Sequence, residues 1–156
     1  MIKNIERFDS GDFILEFTKN EKGELDGEST TFDKRSQKII EKISYKNNKI
    51  NGLYISYFYS ENKSGRTEVP YIDDKKEGTA LSYINDVIFM EEPFVNNKRN
   101  GVAKIYKVIE GKQILWCETS FKDDVKDGIS IEYEDDGKTI KQKTMWKNGE
   151  KIENNT

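Results

Sequence analysis

The side chains in this sequence that could carry chemistry are almost all carboxylates and cations. Twenty-nine Asp and Glu stand against 26 Lys and Arg, with one cysteine, Cys117, and no histidine. Without an imidazole, Ser-His-Asp and Cys-His catalysis and the usual His-containing zinc sites are impossible. Two carboxylates at a fixed separation can hydrolyse a glycosidic bond, but among so many acids such pairs arise by accident. The turn acids Asp73-Asp74, Asp123-Asp124 and Asp135-Asp136 lack the Asp-x-Asp-x-Asp-Gly spacing and distant Glu of a calcium loop. The expectation is therefore a chain with no catalytic residue, no metal and no cofactor. A lone cysteine cannot close an internal disulfide, and Cys117 is expected to pack as a small hydrophobe.

The elements that must position these residues come from an internal repeat. A glycine preceded by Asp, Asn or Glu recurs at Gly27, Gly52, Gly78, Gly101 and Gly128, at spacings of 25, 26, 23 and 27 residues. Five residues after each stands an aromatic: Phe32, Tyr57, Tyr83, Tyr106 and Tyr133. Seven residues before each of the last four stands another, at Tyr45, Tyr71, Phe94 and Phe121, and Trp146 continues the series with Glu153 where the next glycine would fall. Links such as Tyr45-Lys46-Asn47-Asn48-Lys49-Ile50-Asn51-Gly52 read as turns, because Asn and Asp tolerate left-handed backbone and glycine adopts it freely. Between the two strands of a repeat, Asn85-Asp86, Glu110-Gly111 and Asp136-Gly137 are pairs that close tight hairpins.

Apolar residues alternate with period two, as in Leu53, Ile55 and Tyr57 against Tyr54, Ser56 and Phe58, and no helical spacing is sustained. The predicted fold is all-β: an elongated, single-layer antiparallel meander of tandem hairpin repeats of about 25 residues. One repeat domain is expected over 1–156, with an irregular N-terminal cap over 1–22, about five hairpin repeats over 23–153 and a frayed tail at 154–156. Eight Tyr, eight Phe and two Trp offset a hydrophobic fraction of only 34% and a charged fraction of 35%, so the chain folds around a thin core.

The recurrent Tyr-Lys-Asn-Asn-x-x-Asn-Gly, with an aromatic five residues on, resembles the MORN-repeat variant of bacterial proteins, over residues 18 to 153. That resemblance implies an extended single-layer hairpin meander. It also implies membership of the YwqK-type antitoxin and immunity-protein family, whose partner would be a cognate protein toxin. The wider MORN group implies an alternative, a scaffold or membrane-proximal module.

If both aromatics of a repeat lie on one inward face, parity places Glu68, Glu91 and Glu118 on the other, stacked as a ladder between Lys42 and Lys143. The same reasoning sets the small residues Ser56, Ala80, Ser82, Ala103 and Ser130 beside them, with Tyr54, Ile105 and Glu132 among them. The result would be either a plain solvated sheet face or a shallow acidic trough for a basic partner. Partner contacts are expected from Glu68, Glu91, Glu118 and Glu132, and from the off-pattern rings Tyr54 and Trp116. A net charge of −3 with mixed signs disfavours nucleic acid. No apolar run approaches the roughly 18 residues of a membrane helix, and the opening Met1-Ile2-Lys3-Asn4-Ile5-Glu6-Arg7 does not read as a secretory leader. A cytoplasmic protein is the expectation.

Overall fold

The structure, a computed structural model, describes residues 5–152, so the residues at 1–4 and the expected tail at 154–156 lie outside it. Every regular element among the described residues is a β-strand, and neighbouring strands pair antiparallel. The chain falls into two compact units, Met1–Lys75 and Lys76–Thr156. In the first, β1 (Ile5–Asp9), β2 (Phe13–Thr18), β3 (Gly27–Asp33), β4 (Ile39–Lys46), β5 (Lys49–Tyr59) and β6 (Ser64–Ile72) pair in chain order. The short β7 (Lys75–Lys76) spans the joint. In the second, β8 (Gly78–Ile84), β9 (Val87–Val95), β10 (Lys98–Arg99), β11 (Gly101–Ile109), β12 (Lys112–Lys122), β13 (Val125–Tyr133), β14 (Ile140–Lys147) and β15 (Glu150–Ile152) form a meander, with β10 pairing β9. Each unit is a run of hairpins in one layer, the fold class read from the repeat. The N-terminal segment is more regular than expected: β1 and β2 form a continuous hairpin from Ile5 opposite Thr18 to Asp9 opposite Ile14.

The link turns carry two consecutive residues at positive φ: Asn47-Asn48, Asp73-Asp74, Asn96-Asn97 and Asp123-Asp124, all between 47° and 70°. Such pairs match the twist of the strands they join. The second residue of each pair also fastens the turn to the preceding link. Asn48 donates its N–H to the Leu25 carbonyl (2.9 Å) and accepts the Leu25 N–H on its side chain (2.7 Å). Asp74 repeats both bonds with Ile50, Asn97 with Lys76 and Asp124 with Arg99. At the last link Gly149 keeps the backbone bond, to Lys126, but has no side chain for the other.

Each repeat glycine stands directly across the hairpin from the second aromatic: Gly27 from Tyr45, Gly52 from Tyr71, Gly78 from Phe94, Gly101 from Phe121 and Gly128 from Trp146. Glycine is required twice over at Gly52, where φ is 118° and a Cβ would lie 2.8 Å from that of Ser44. This register corrects the expected sharing of one face by both aromatics. A residue five positions after glycine points to the opposite face from glycine's own cross-strand partner. The Phe32, Tyr57, Tyr83, Tyr106 and Tyr133 series therefore lies on one face, and the Tyr45, Tyr71, Phe94, Phe121 and Trp146 series on the other.

A second feature escaped the alternation. In four hairpins the second strand holds one extra residue: Thr31 faces Glu41 and Phe32 faces Ile39, skipping Ile40, and the same shift skips Phe89, Trp116 and Lys141. Such bulges re-aim side chains. The core is thin, as the composition implied. Among the described residues the only buried hydrophobics are Ile14, Val69, Ala80 and Ala103, and no large side chain is fully buried.

Candidate functional site

The face bearing Tyr106 and Tyr133 holds the expected acids, in a different setting. Opposed pairs run Leu81–Glu91, Glu91–Lys104, Lys104–Glu118, Glu118–Ile131 and Ile131–Lys143, so the two acids of the second unit are separated by Lys104 and do not adjoin. Each is also engaged by a tyrosine: Tyr106 Oη donates to Glu91 (2.8 Å) and Tyr133 Oη to Glu118 (2.7 Å), while Lys104 Nζ lies 3.8 Å from Glu118. Burial and the Glu91 bond push the Tyr106 hydroxyl upward, and the Glu118 bond does the same to Tyr133. In the first unit Glu68 is opposite Ile55 and takes the Arg66 guanidinium at 2.7 Å. These carboxylates complete internal bonds, and within the second unit Glu91 and Glu118 do not make the expected open ladder.

The small residues lie on the opposite face from those acids, with the second aromatics. In the first unit Tyr54 is here, opposite Ile43 and Val69 and 6.2 Å from the Tyr71 ring. Its hydroxyl donates to Glu41 at 2.7 Å, a bond that, with burial, pushes Tyr54 up to about 12. In the second unit this face is hollowed into an open depression of about 380 Å³. Its floor is a cross-strand row of small side chains, Ala103, Thr119, Ser130 and Thr144, with Ser130 Oγ donating to Thr119 Oγ1 at 3.2 Å.

Two different walls flank that floor. On one side Phe121 and Trp146 carry cations on their rings, the Arg99 guanidinium at 4.2 Å and Lys126 Nζ at 4.4 Å, contacts that stabilise by the attraction of positive charge to a π face. Arg99 is further held by Asp124 at 3.3 Å. Trp146 Nε1 is shielded from solvent and finds no acceptor among the described residues. The other wall is Ile105, Trp116, Cys117 and Glu132, with Glu132 opposite both Cys117 and Gln142. Trp116 is the bulge residue of its hairpin and is 42% exposed. Burial and the nearby Glu132 push the Cys117 thiol up, which keeps it protonated and a poor nucleophile.

The structure thus brings Trp116 and Glu132 together and sets them apart from Glu91 and Glu118, which occupy the other face of the same unit. Sequence reasoning missed Phe121, Trp146, Arg99 and Lys126 as a wall. The signal was available in the basic residue two before the repeat glycine, at Lys76, Arg99 and Lys126, each of which covers the aromatic opposite that glycine. Among the described residues no group of three or more His, Cys, Asp or Glu is placed to hold a metal ion, and no helix is long and apolar enough to cross a membrane. No protein-family model and no curated protein matches the chain, so the likeness to MORN-type repeats rests on the repeat residues themselves.

Proposed function

We propose that this chain is a non-enzymatic binding protein, a cytoplasmic immunity protein or antitoxin that neutralises a cognate toxin by direct docking. The observation that carries the reading is the amount of large apolar side chain the sheet leaves in solvent. Leu53 and Phe58, on opposite faces of β5, are 42% and 46% exposed, and Trp116 of the second unit is 42% exposed. Exposed rings such as Phe58 and Trp116, set among charged residues, suit the aromatic anchor positions of a protein interface. The mixed-sign surface and the tyrosine-engaged carboxylates favour a partner recognised by shape and local charge pairs over one recognised by a uniform field.

The test is co-expression with any toxin-like product that a neighbouring gene encodes. Rescue of growth and co-elution of a stoichiometric complex are expected. Growth arrest despite full expression of both chains, with no complex, would overturn the reading. Flotation of the chain with anionic vesicles at low salt would instead favour the scaffold or membrane-proximal alternative.

A further inference from the structure

The depression in the second unit has the dimensions and the charge asymmetry of a seat for a helix. On β12 its two walls, at Phe121 and Cys117, are four residues apart, about 13 Å at the rise of a strand. An α-helix with its side chains is about 10–12 Å across. The floor crosses the strands from β9 to β14, four inter-strand steps or about 19 Å, which about 13 helical residues would cover. The floor residues are small, and their hydroxyls are partly paired with each other, so an apolar ridge can settle close to the sheet. An extended peptide would find no unpaired strand edge along this floor, because β12 and β13 are both paired on each side.

The charges choose the helix. Glu132 on one wall and Glu92 at the β9 end of the floor make no hydrogen bond or ion pair among the described residues. Across the trough the Arg99 charge is met by Asp124, leaving Lys126. The uncompensated balance is acidic on the Trp116 side. We infer that this trough is the docking site for one amphipathic α-helix of a protein partner, lying across the strands with its apolar ridge on the small-residue floor and basic side chains beside Glu132. The inference rests on the docking reading above and specifies which surface serves it.

The chain carries its own reporters, since its two tryptophans both line the trough, as does its single cysteine. The probe is a synthetic helical peptide of about 14 residues with a leucine ridge at i, i+3, i+4 and i+7 and lysines along one flank, compared with the same peptide carrying glutamates there. Titration of the lysine peptide into the full chain should shift tryptophan emission to the blue and slow Cys117 alkylation by iodoacetamide at least about fivefold. Glu132→Lys, an exposed position, should weaken binding about tenfold by replacing attraction with repulsion. Ser130→Leu, which fills the floor, should abolish it, with circular dichroism checking that the sheet persists. Equal response to both peptides, no response to either, or unchanged affinity in Glu132→Lys would overturn the inference. Toxin neutralisation that survives both substitutions would place docking elsewhere and leave the proposed function standing. Peptide binding without any neutralisation would retain the trough and sink the toxin reading.

Discussion

At the residue scale, the tyrosines are more than packing groups. Tyr54, Tyr106 and Tyr133 each hold a carboxylate through a hydroxyl, and all three titrate above their ordinary range. For Tyr54, moved to about 12 chiefly by the Glu41 bond, the native state keeps its proton where an unfolded tyrosine, at about 10, has lost it. Its contribution to stability is whole below pH about 10 and disappears as pH rises through about 12. Tyr54→Phe should therefore lower the urea midpoint at neutral pH and flatten its decline above pH about 10. Parallel pH profiles in the two proteins would show that the bond adds nothing. The rings were legible as a periodic series, but their hydroxyl partners were not. Glu91 lies fifteen positions from Tyr106, and only the cross-strand register brings them onto one face.

At the element scale, the link turns bind the hairpins into units. The sequence marked Asn-Asn and Asp-Asp as turns by their tolerance of left-handed backbone, and the structure adds the clasp on the preceding link. Each side-chain acceptor stabilises by about 1 kcal/mol, the ordinary net worth of a hydrogen bond. Asn48→Gly keeps the backbone permissible while deleting the acceptor for Leu25, and should cost about that amount in chemical denaturation. Gly149→Asn should supply the one acceptor the series lacks. There φ is 86°, where a side chain is strained, and a Cβ would meet Val125 Cγ1 at 3.2 Å, so the gain depends on the turn relaxing toward the φ of the other links and on that methyl yielding. An increase in stability is expected, and a decrease would mean that strain and contact together outweigh the bond. The bulges could not be read ahead because strand alternation fixes only which neighbours within one strand share a face. The skipped partner at Trp116 belongs to the pairing of two strands.

At the scale of the whole molecule, low hydrophobicity is a consequence of architecture. A hairpin sheet packs each repeat against its neighbours in sequence and gathers no deep centre, so stability accumulates repeat by repeat. Removing residues 101–127 joins Asn100 to Gly128 and leaves Arg99 two positions before a repeat glycine, where Lys126 stood. The shortened chain should retain a β-type circular dichroism spectrum and unfold cooperatively in urea, with a slope reduced in proportion to the surface lost. Loss of the β signal would show that the second unit depends on contacts beyond adjacent repeats. The fold class was legible because ten aromatics and five glycines obey one spacing rule. The trough was not, because it depends on which aromatic series shares a face with the small residues, and that parity is set by the residue opposite each glycine.

The pairing of each repeat glycine with the second aromatic reaches further than packing. A ring set across from bare backbone needs no matching side chain, so a duplicated repeat arrives already able to stack, and neighbours need not be refitted in concert. Phe121 and Trp146 serve both the framework and one wall of the trough, whereas the rest of the lining lies outside the set of glycine, ring and turn acceptor. Ile105, Trp116, Glu132 and Gln142 can change identity without touching the periodic framework. Such a separation would let the rest of the trough lining diversify on an unchanging scaffold.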